Sequence, residues 1–171
     1  MNKNLKIYTD KISSLVLRSI NIDDIENLRT WKNENCKAFF HQDPIDSIQQ
    51  RKWFLGYTKD LYNHMFIIEY DSLGVGCIGF RLLGDIADIY NVILGKIDYK
   101  NKGLMSQAIK ALCMYIINNY TNQITVKVVD SNIIAKKFYL KNGFIVKAKR
   151  DNHIEMSLSS EHFIPMEIRV C

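Results

Sequence analysis

The sequence lacks the features that mark secreted and membrane proteins. Its four cysteines, Cys36, Cys77, Cys113 and Cys171, form no CxxC pair, so neither a disulfide framework nor a metal site is predicted. Three of them sit within apolar segments or beside an aromatic pair, which predicts reduced, buried thiols. The polar residues 1–10 lack a signal-peptide core, and no segment approaches the roughly 20 apolar residues of a membrane span. These absences predict a cytoplasmic protein without a membrane partner.

The sequence also shows no sign of more than one domain. It contains no internal repeat, low-complexity tract or linker. With 171 residues, 47% of them hydrophobic, it suits one compact domain over residues 1–171. The net charge of +5 is spread along the chain, and residues 136–150 form the one dense basic stretch. A nucleic-acid partner is therefore not predicted.

Hydrophobic periodicity predicts alternating strands and helices. Strands are predicted over 14–20, 65–69, 75–82, 86–94, 124–129, 144–149, 153–158 and near 163–170, and helices from Asn21 through Trp31, from Asp46 or Ser47 through Phe54, over 103–120 and over 131–141. The three consecutive strands from 65 to 94 favour an antiparallel meander. The predicted fold class is α/β (α+β), with a mixed, mostly antiparallel central sheet flanked by helices.

A short basic turn precedes the helix predicted from Gly103. The first turn of a helix leaves about four backbone N–H groups without internal partners, so it can bind phosphate. Lys100 and Lys102 add positive charge at the rim, Gly103 lets the backbone approach a ligand without a Cβ, and Ser106 offers a hydroxyl. By itself, such a turn is more often a solvated loop than an anion site.

A second motif covers residues 128–144, VVDSNIIAKKFYLKNGF. Together with the turn it resembles the GNAT acetyltransferase superfamily, whose members pair an R/Q-x-x-G-x-G/A turn with a later N-x-x-A-x-x-x-Y-x-x-x-G-F segment. The later positions are filled by Asn132, Ala135, Tyr139, Gly143 and Phe144. The resemblance extends over about residues 14–158, and this second motif is its more specific half.

The earlier turn departs from the family pattern at two places. Lys100, Gly103 and Met105 occupy the signature positions, but Lys100 replaces Arg or Gln and Met105 replaces the second small residue. Met105 adds bulk where the pyrophosphate normally passes. Its side chain then either points into the core or shifts the phosphate.

The resemblance implies a single GNAT-like domain that binds acetyl-CoA. The pyrophosphate would lie against the turn that runs through Leu104, and the pantetheine arm would pair with the strand at Ile93 and Leu94. Asn132 would contact the pantetheine or acetyl end, and Tyr139 would protonate the departing thiolate. From the residues alone, Tyr139 could equally be a packed aromatic side chain and Asn132 a plain helix cap.

The acceptor amine must lose a proton, and two residues are candidates for receiving it. Asp88 lies on the strand that enters the first motif, where many relatives carry an acidic residue. His41 lies in the loop that usually forms the acceptor wall. Each also has an ordinary explanation, Asp88 as a solvated strand residue and His41 as a surface histidine.

Residues 28–54 resemble the branch that acetylates nucleotide-linked amino sugars for bacterial surface polysaccharides, through the WRN-like segment Trp31, Lys32 and Asn33. Acetylases of ribosomal-protein N-termini begin similarly. The expected substrate-binding residues are Trp31, Phe39, Phe40, His41 and Arg51, although Trp31 and Trp53 also fit core packing.

The predicted function is N-acetylation of a dTDP- or UDP-linked amino-deoxy sugar by direct attack in a ternary complex. Two alternatives are a protein N-terminal or small-amine acetyltransferase and a non-catalytic acyl-CoA-binding module. Family habit suggests a homodimer.

Overall fold

The computed structural model describes residues 4–171, so residues 1–3 of the polar N-terminal segment lie outside the described part. Its elements, in chain order, are β1 Lys6–Thr9, β2 Leu15–Ser19, α1 Ile25–Glu34, α2 Ser47–Tyr57, β3 Asn63–Tyr70, β4 Leu73–Leu83, β5 Ile86–Leu94, α3 Leu104–Asn119, β6 Ile124–Val129, α4 Ile133–Lys141, β7 Phe144–Lys149, β8 His153–Leu158 and β9 Ile168–Val170. Short 3₁₀ helices cover Ile22–Asp24, Cys36–Ala38 and Ile97–Tyr99. No helix within residues 4–171 is both long and apolar enough to cross a membrane.

The strands form one nine-stranded sheet in the order β7-β8-β6-β5-β4-β3-β2-β1-β9. The pair β5–β6 is parallel, and the other pairs of neighbours are antiparallel. The predicted meander β3–β4–β5 and the mixed, mostly antiparallel sheet are therefore confirmed.

Both faces of the sheet are covered by helices, as the alternation along β3 shows. Phe66 and Ile68 pack in a core beneath α3, whereas Met65 and Ile67 pack in a second core beneath α1 and α2. Successive side chains of a strand point to opposite faces, so an all-apolar β3 feeds both cores.

A bulge in β5 changes which face its side chains reach. The register with β4 shifts between Cys77 and Gly79, and Asn91 has a φ of 48°. Ile89 and Ile93 would share one face of a regular strand, yet Ile89 joins the core beneath α3 and Ile93 the core beneath α1 and α2. One inserted residue produces this change of side. Asparagine tolerates the left-handed backbone conformation that the bulge needs.

Local differences from the predicted elements have local causes. β1 was not predicted, because its apolar residues, Ile7 and Tyr8, lie within a polar segment. Asn21 caps a helix start as predicted, but the first turn is 3₁₀ and leaves Ile22 exposed. The final strand is shorter than predicted, since β9 starts only at Ile168. All four cysteines are free thiols, but Cys36 is half-buried and Cys171 is exposed.

Candidate active site

The two parallel strands diverge at the centre of the sheet. β5 pairs with β6 over Ala87–Ile89 and Ile124–Val126, and no pairing joins their carboxyl-terminal halves. A cleft of about 380 Å³ opens where the strands part. It is lined by Lys32, Ala38, Phe39, Phe40, His41, Arg81, Asp88, Ile89, Tyr90, Asn91, Val92, Val126, Lys127, Val128, Asn132, Ala135 and Tyr139. Six residues predicted for the site, Phe39, Phe40, His41, Asp88, Asn132 and Tyr139, therefore lie around one cleft.

Tyr139 reaches the cleft from α4. Its ring packs edge-on against Phe138 and Phe144, each with a centroid separation of 5.3 Å, and the side chain is almost fully buried. Burial raises the pKa of the Tyr139 hydroxyl, and the nearby Cys113 and Asp88 add to the shift. The hydroxyl is thus neutral at physiological pH and can donate a proton. Tyr139 therefore both packs against its neighbours and lines the cleft.

Asp88 lies on β5 at the opposite wall of the cleft. Burial raises the pKa of its carboxyl group, while Lys127, Arg81 and the Thr125 hydroxyl partly offset the shift. The Thr125 hydroxyl donates a long hydrogen bond of 3.5 Å to Asp88 Oδ1. A carboxylate in this setting accepts a proton more readily than one in water.

Asn132 caps α4 and also lines the cleft. Its side-chain oxygen accepts a hydrogen bond of 3.0 Å from the Ala135 backbone N–H. The amide nitrogen is the end of the carboxamide that can contact a ligand. At the far end of α4, Gly143 has a φ of 91°, and a Cβ there would lie 2.7 Å from the Phe163 Cα. The Gly143 position of the second motif is therefore explained by packing.

The predicted anion-binding turn lies at the start of α3. Gly103 is the N-cap with a φ of 75°, and no side chain within residues 4–171 caps the helix there. A Cβ at Gly103 would meet open space, so the turn is uncovered. Lys100 and Lys102 are exposed beside it, and Lys102 Nζ lies 4.7 Å from the centroid of the Tyr99 ring. The first-turn amides can therefore bind an anion.

Two side chains of the first turn of α3 face the protein. Met105 is half-buried and packs against the core beneath α3, so its bulk does not fill the turn. Ser106 Oγ accepts a hydrogen bond of 3.3 Å from Asn142 Nδ2. This bond ties the start of α3 to the end of α4. Leu104 is fully within the core.

A second cavity, of about 360 Å³, lies on the other side of β5, beneath α1 and α2. Its lining comprises Leu28, Lys32, His41, Asp43, Pro44, Ile45, Gln49, Gln50, Trp53, Met65, Cys77, Asn91 and Ile93. We call it the acceptor cavity. Lys32, His41 and Asn91 line both it and the cleft, so these three residues form the junction between them.

An open recess continues outward from the acceptor cavity. It shares Gln49 and Trp53 with the cavity and Arg81 with the cleft. The rest of its lining is Lys52, Gly56, Tyr57, Asp60 and Asn63. The Trp53 and Tyr57 rings stack at 5.5 Å, and the Arg81 guanidinium lies 4.1 Å from the Tyr90 ring centroid. We call this surface the outer recess.

Some predicted site residues lie elsewhere. Trp31 is only 5% exposed and lines neither cavity, and a Cβ at Gly95 would lie 2.2 Å from its indole. Trp31 is therefore a packing residue in the structure. Arg51 is exposed on α2 outside both linings. Ile93 faces the acceptor cavity and Val92 faces the cleft, because of the bulge at Asn91.

Sequence reasoning did not place Lys32, Asn91, Arg81 and Trp53 in these linings. Asn91 carries a readable signal, since it is a polar residue between the apolar halves of a predicted strand. Lys32 follows Trp31 in the WRN-like segment, but the direction in which its side chain points depends on how α1 packs against the sheet. Arg81 follows the buried part of β4, and hydrophobic periodicity does not indicate where its side chain points. These positions depend on tertiary packing.

Residues 14–145 match the family model described as the acetyltransferase (GNAT) domain. No curated protein sequence matches the chain significantly. Apo FdhC, described as a nucleotide-linked sugar GNAT, superimposes with a TM-score of 0.76 at 19% identity, over 95% of this chain and 93% of that chain.

Two further solved structures share the fold. Spermidine N-acetyltransferase from Vibrio cholerae, in complex with CoA and spermine, has a TM-score of 0.73 at 16% identity, over 88% of this chain and 98% of its own. RimL, the ribosomal L7/L12 alpha-N-protein acetyltransferase in complex with coenzyme A, has a TM-score of 0.71 at 17% identity, over 85% and 93%. At these identities the likeness shows the fold and leaves the acceptor open.

Proposed function

Since the chain belongs to the GNAT acetyltransferase family and is an acetyl-CoA-dependent N-acetyltransferase, we propose that its acceptor is a nucleotide-linked amino sugar. The acceptor would be the amine of a dTDP- or UDP-linked amino-deoxy sugar used in bacterial surface-polysaccharide synthesis. The observation that carries this proposal is the chemistry of the acceptor cavity and the outer recess, in which amides, stacked aromatic rings and cationic side chains follow one another.

The residues present fit acetyl-CoA. The uncapped first turn of α3 offers backbone N–H groups to a pyrophosphate, with Lys100 and Lys102 beside it. The divergence of β5 and β6 leaves strand edge for an extended amide-bearing arm, and Val92, Val128 and Ala135 give the cleft an apolar wall. When bound, acetyl-CoA supplies a thioester whose C–S bond breaks as the acceptor nitrogen forms the amide.

The residues of the cleft divide the proton handling. Tyr139 is protonated at neutral pH and lines the cleft, so it can donate to a leaving sulfur, although burial raises the pKa of its hydroxyl and makes it a weaker acid. Asn132 orients the ligand from the start of α4. Asp88 remains a predicted proton acceptor on the cleft side. His41, whose side chain is 80% exposed, remains a predicted proton acceptor at the junction.

A nucleotide sugar suits the acceptor cavity and the outer recess. Gln49, Gln50 and Asn91 can hydrogen-bond sugar hydroxyls close to the junction. Trp53 lies where the cavity meets the recess and offers a ring face for stacking. Lys52 and Arg81 of the outer recess can meet a diphosphate. The combined lining therefore offers groups for the sugar, the base and the diphosphate.

The charges of these two surfaces disfavour a polycationic acceptor. Their combined lining holds three basic side chains and two carboxylates, namely Lys32, Lys52, Arg81, Asp43 and Asp60. Spermidine or a basic peptide would bring positive charge to a surface with more cations than carboxylates. Such an arrangement is repulsive, whereas a diphosphate would be attracted.

The test is a competition among acceptor classes. The purified chain and acetyl-CoA would be offered dTDP- and UDP-linked amino-deoxy sugars, peptides beginning with Ser or Ala, and spermidine, and kcat/KM would be measured by mass spectrometry. We expect the best nucleotide sugar to exceed every peptide and spermidine. A higher kcat/KM for a peptide or for spermidine would overturn the acceptor assignment and leave the acetyltransferase activity in place.

Two variants test whether the outer recess binds the diphosphate. Arg81→Gln should raise the KM for the nucleotide sugar about tenfold, since a charge-assisted phosphate contact contributes about 1.5–3 kcal/mol when fully made and less at an open site. Lys59→Gln is the matched control, because Lys59 is exposed and lines none of these surfaces. Equal KM values for the two variants would exclude the outer recess as the diphosphate site.

A further inference from the structure

Lys32 stands where the two substrates must meet. It extends from α1 into the junction and lines both the cleft and the acceptor cavity. Its Nζ donates a hydrogen bond of 2.8 Å to Asn91 Oδ1, the side chain of the β5 bulge. The same Nζ lies 3.0 Å from the centroid of the Phe39 ring. Two independent contacts therefore fix the amine at the point where the acceptor amine must approach the thioester.

The Phe39 ring face favours the charged form of Lys32, whereas burial opposes it. Within residues 4–171, no carboxylate forms an ion pair with its ammonium group. The titratable and charged groups around it are Cys77 and Arg81 on β4, Asp88 and Tyr90 on β5, His41 and Asp43 in the loop before α2, and Tyr139 on α4. Arg81 and Lys127 also carry positive charge in the cleft lining, and neither Asp43 nor Asp88 forms an ion pair with Lys32.

Burial lowers the pKa of the Lys32 ammonium group to about 8; Cys77 opposes this shift, and the positive charge of Arg81 adds to it. At pH 7 about one molecule in ten would carry a neutral Lys32, compared with fewer than about one in a thousand for an ordinary lysine with a pKa near 10.4. A neutral lysine in such a position can accept a proton.

We propose that Lys32, in its neutral form, accepts the proton that the acceptor ammonium must lose before it attacks the thioester. The proposal rests on the proposed function only in needing an amine acceptor that enters through the acceptor cavity. It assigns a catalytic role to a residue outside the two GNAT motifs.

The protons balance over one turnover. The acceptor enters as an ammonium group with three N–H bonds. One proton moves to Lys32 Nζ, and the electron pair of the broken N–H bond stays on the acceptor nitrogen, which then attacks. Tyr139 gives its proton to the leaving sulfur, and the second proton of the acceptor nitrogen replaces it on Tyr139. The third proton stays on the amide nitrogen. Lys32 returns its proton to solvent, so each turnover releases one proton.

Lys32 differs from Asp88 in position and from His41 in burial. Asp88 lines the cleft but not the acceptor cavity. His41 lines both, but its side chain is 80% exposed and its nearest acidic partner, Asp43, lies 3.9 Å away. Lys32 combines a place at the junction with fixed geometry and partial burial, which a general base requires.

The first test needs no substrate. In protein labelled with ¹³C-lysine, the Cε resonance of Lys32, assigned by its loss in Lys32→Arg, would be titrated by NMR. We expect a midpoint near 8. A midpoint near 10.5, the ordinary lysine value, would overturn the proposal whatever the acceptor is.

The second test separates a base from a fixed positive charge. Lys32→Arg keeps the positive charge but does not deprotonate near neutral pH. Lys32→Met keeps the length of the side chain but can neither carry the charge nor accept a proton. We expect both variants to lower kcat/KM by about 10²-fold or more, the usual contribution of a general base. The wild-type profile should rise through about pH 8, whereas both variants should follow only the acceptor amine's own titration.

Retained activity and an unchanged pH profile in Lys32→Arg would show that a positive charge suffices, which would overturn the proposal. Lys59→Arg is the control for a surface lysine, and coenzyme A affinity together with the melting temperature verifies that each variant is folded. The assay would use acetyl-CoA with the dTDP-linked sugar and, separately, with the Ser peptide. A peptide preference would refute the sugar assignment, whereas the lysine titration would still decide the role of Lys32.

Discussion

The cleft and the acceptor cavity lie on opposite sides of β5, yet they are built by different means. The cleft arises from backbone geometry, namely the parting of two parallel strands and the uncapped start of α3. The acceptor cavity arises from side chains of α1, α2 and the segment between them. Asn91, at the bulge of β5, joins the two because it lines both.

This difference predicts that relatives share the cleft and that the acceptor cavity varies among them. Backbone amides and strand edges recognise a ligand with few constraints on sequence, so distant relatives can share them. Side chains such as Lys32, Trp53 and Arg81 define an acceptor through charge and stacking. Substitutions in the cleft should therefore affect every acceptor alike, whereas substitutions in the acceptor cavity should discriminate among acceptors.

The largest effect in the cleft is expected from Tyr139→Phe. Removing the hydroxyl while keeping the ring packing against Phe138 and Phe144 should lower kcat about 10²-fold for every acceptor. The dissociation constant for acetyl-CoA, measured by calorimetry, should stay nearly constant. Tyr62→Phe is the control, since Tyr62 is exposed and lines neither cavity. Wild-type turnover in the Tyr139 variant would leave Tyr139 with a packing role alone.

A smaller effect, on binding, is expected from Gly103→Val. A β-branched residue is strained at a φ of 75° and would crowd the anion-binding turn, so the dissociation constant for acetyl-CoA should rise about tenfold or more. Gly84→Val is a matched control, because Gly84 has a φ of 63° and equally open surroundings in the β4–β5 turn.

The two glycine variants should lose similar thermal stability, but only the Gly103 variant should lose affinity. Unchanged calorimetric affinity in a folded Gly103→Val protein would place the pyrophosphate away from α3.

The smallest effect is expected from Asp88→Asn, and it concerns stability. Folding raises the pKa of the Asp88 carboxyl group, so the native state binds more protons than the unfolded state, and stability falls as the pH rises above the ordinary value of 3.8. The Asn variant lacks this penalty. Its unfolding free energy, measured in urea, should exceed that of the wild type at pH 7, and the difference should shrink towards pH 4. A destabilised variant at pH 7 would contradict this account of the burial of Asp88.

The features that the sequence predicts well are those of the cleft, and those that it predicts poorly are those of the acceptor cavity. The later motif singled out Asn132 and Tyr139, which both line the cleft, and a helix follows Gly103 as predicted, because both features depend on local spacing and on helix ends. Periodicity could not decide whether Trp31 packs or binds, since a buried helix face and a pocket wall have the same pattern. Packing against Gly95 decided it.

The most direct test is a crystal structure of the chain with coenzyme A and a dTDP-linked amino sugar. The division of the site predicts pyrophosphate oxygens on the backbone amides of residues 102–106, pantetheine between β5 and β6, and the sugar amine beside Lys32 Nζ. A pyrophosphate bound away from the first turn of α3, or a sugar bound outside the acceptor cavity, would contradict it.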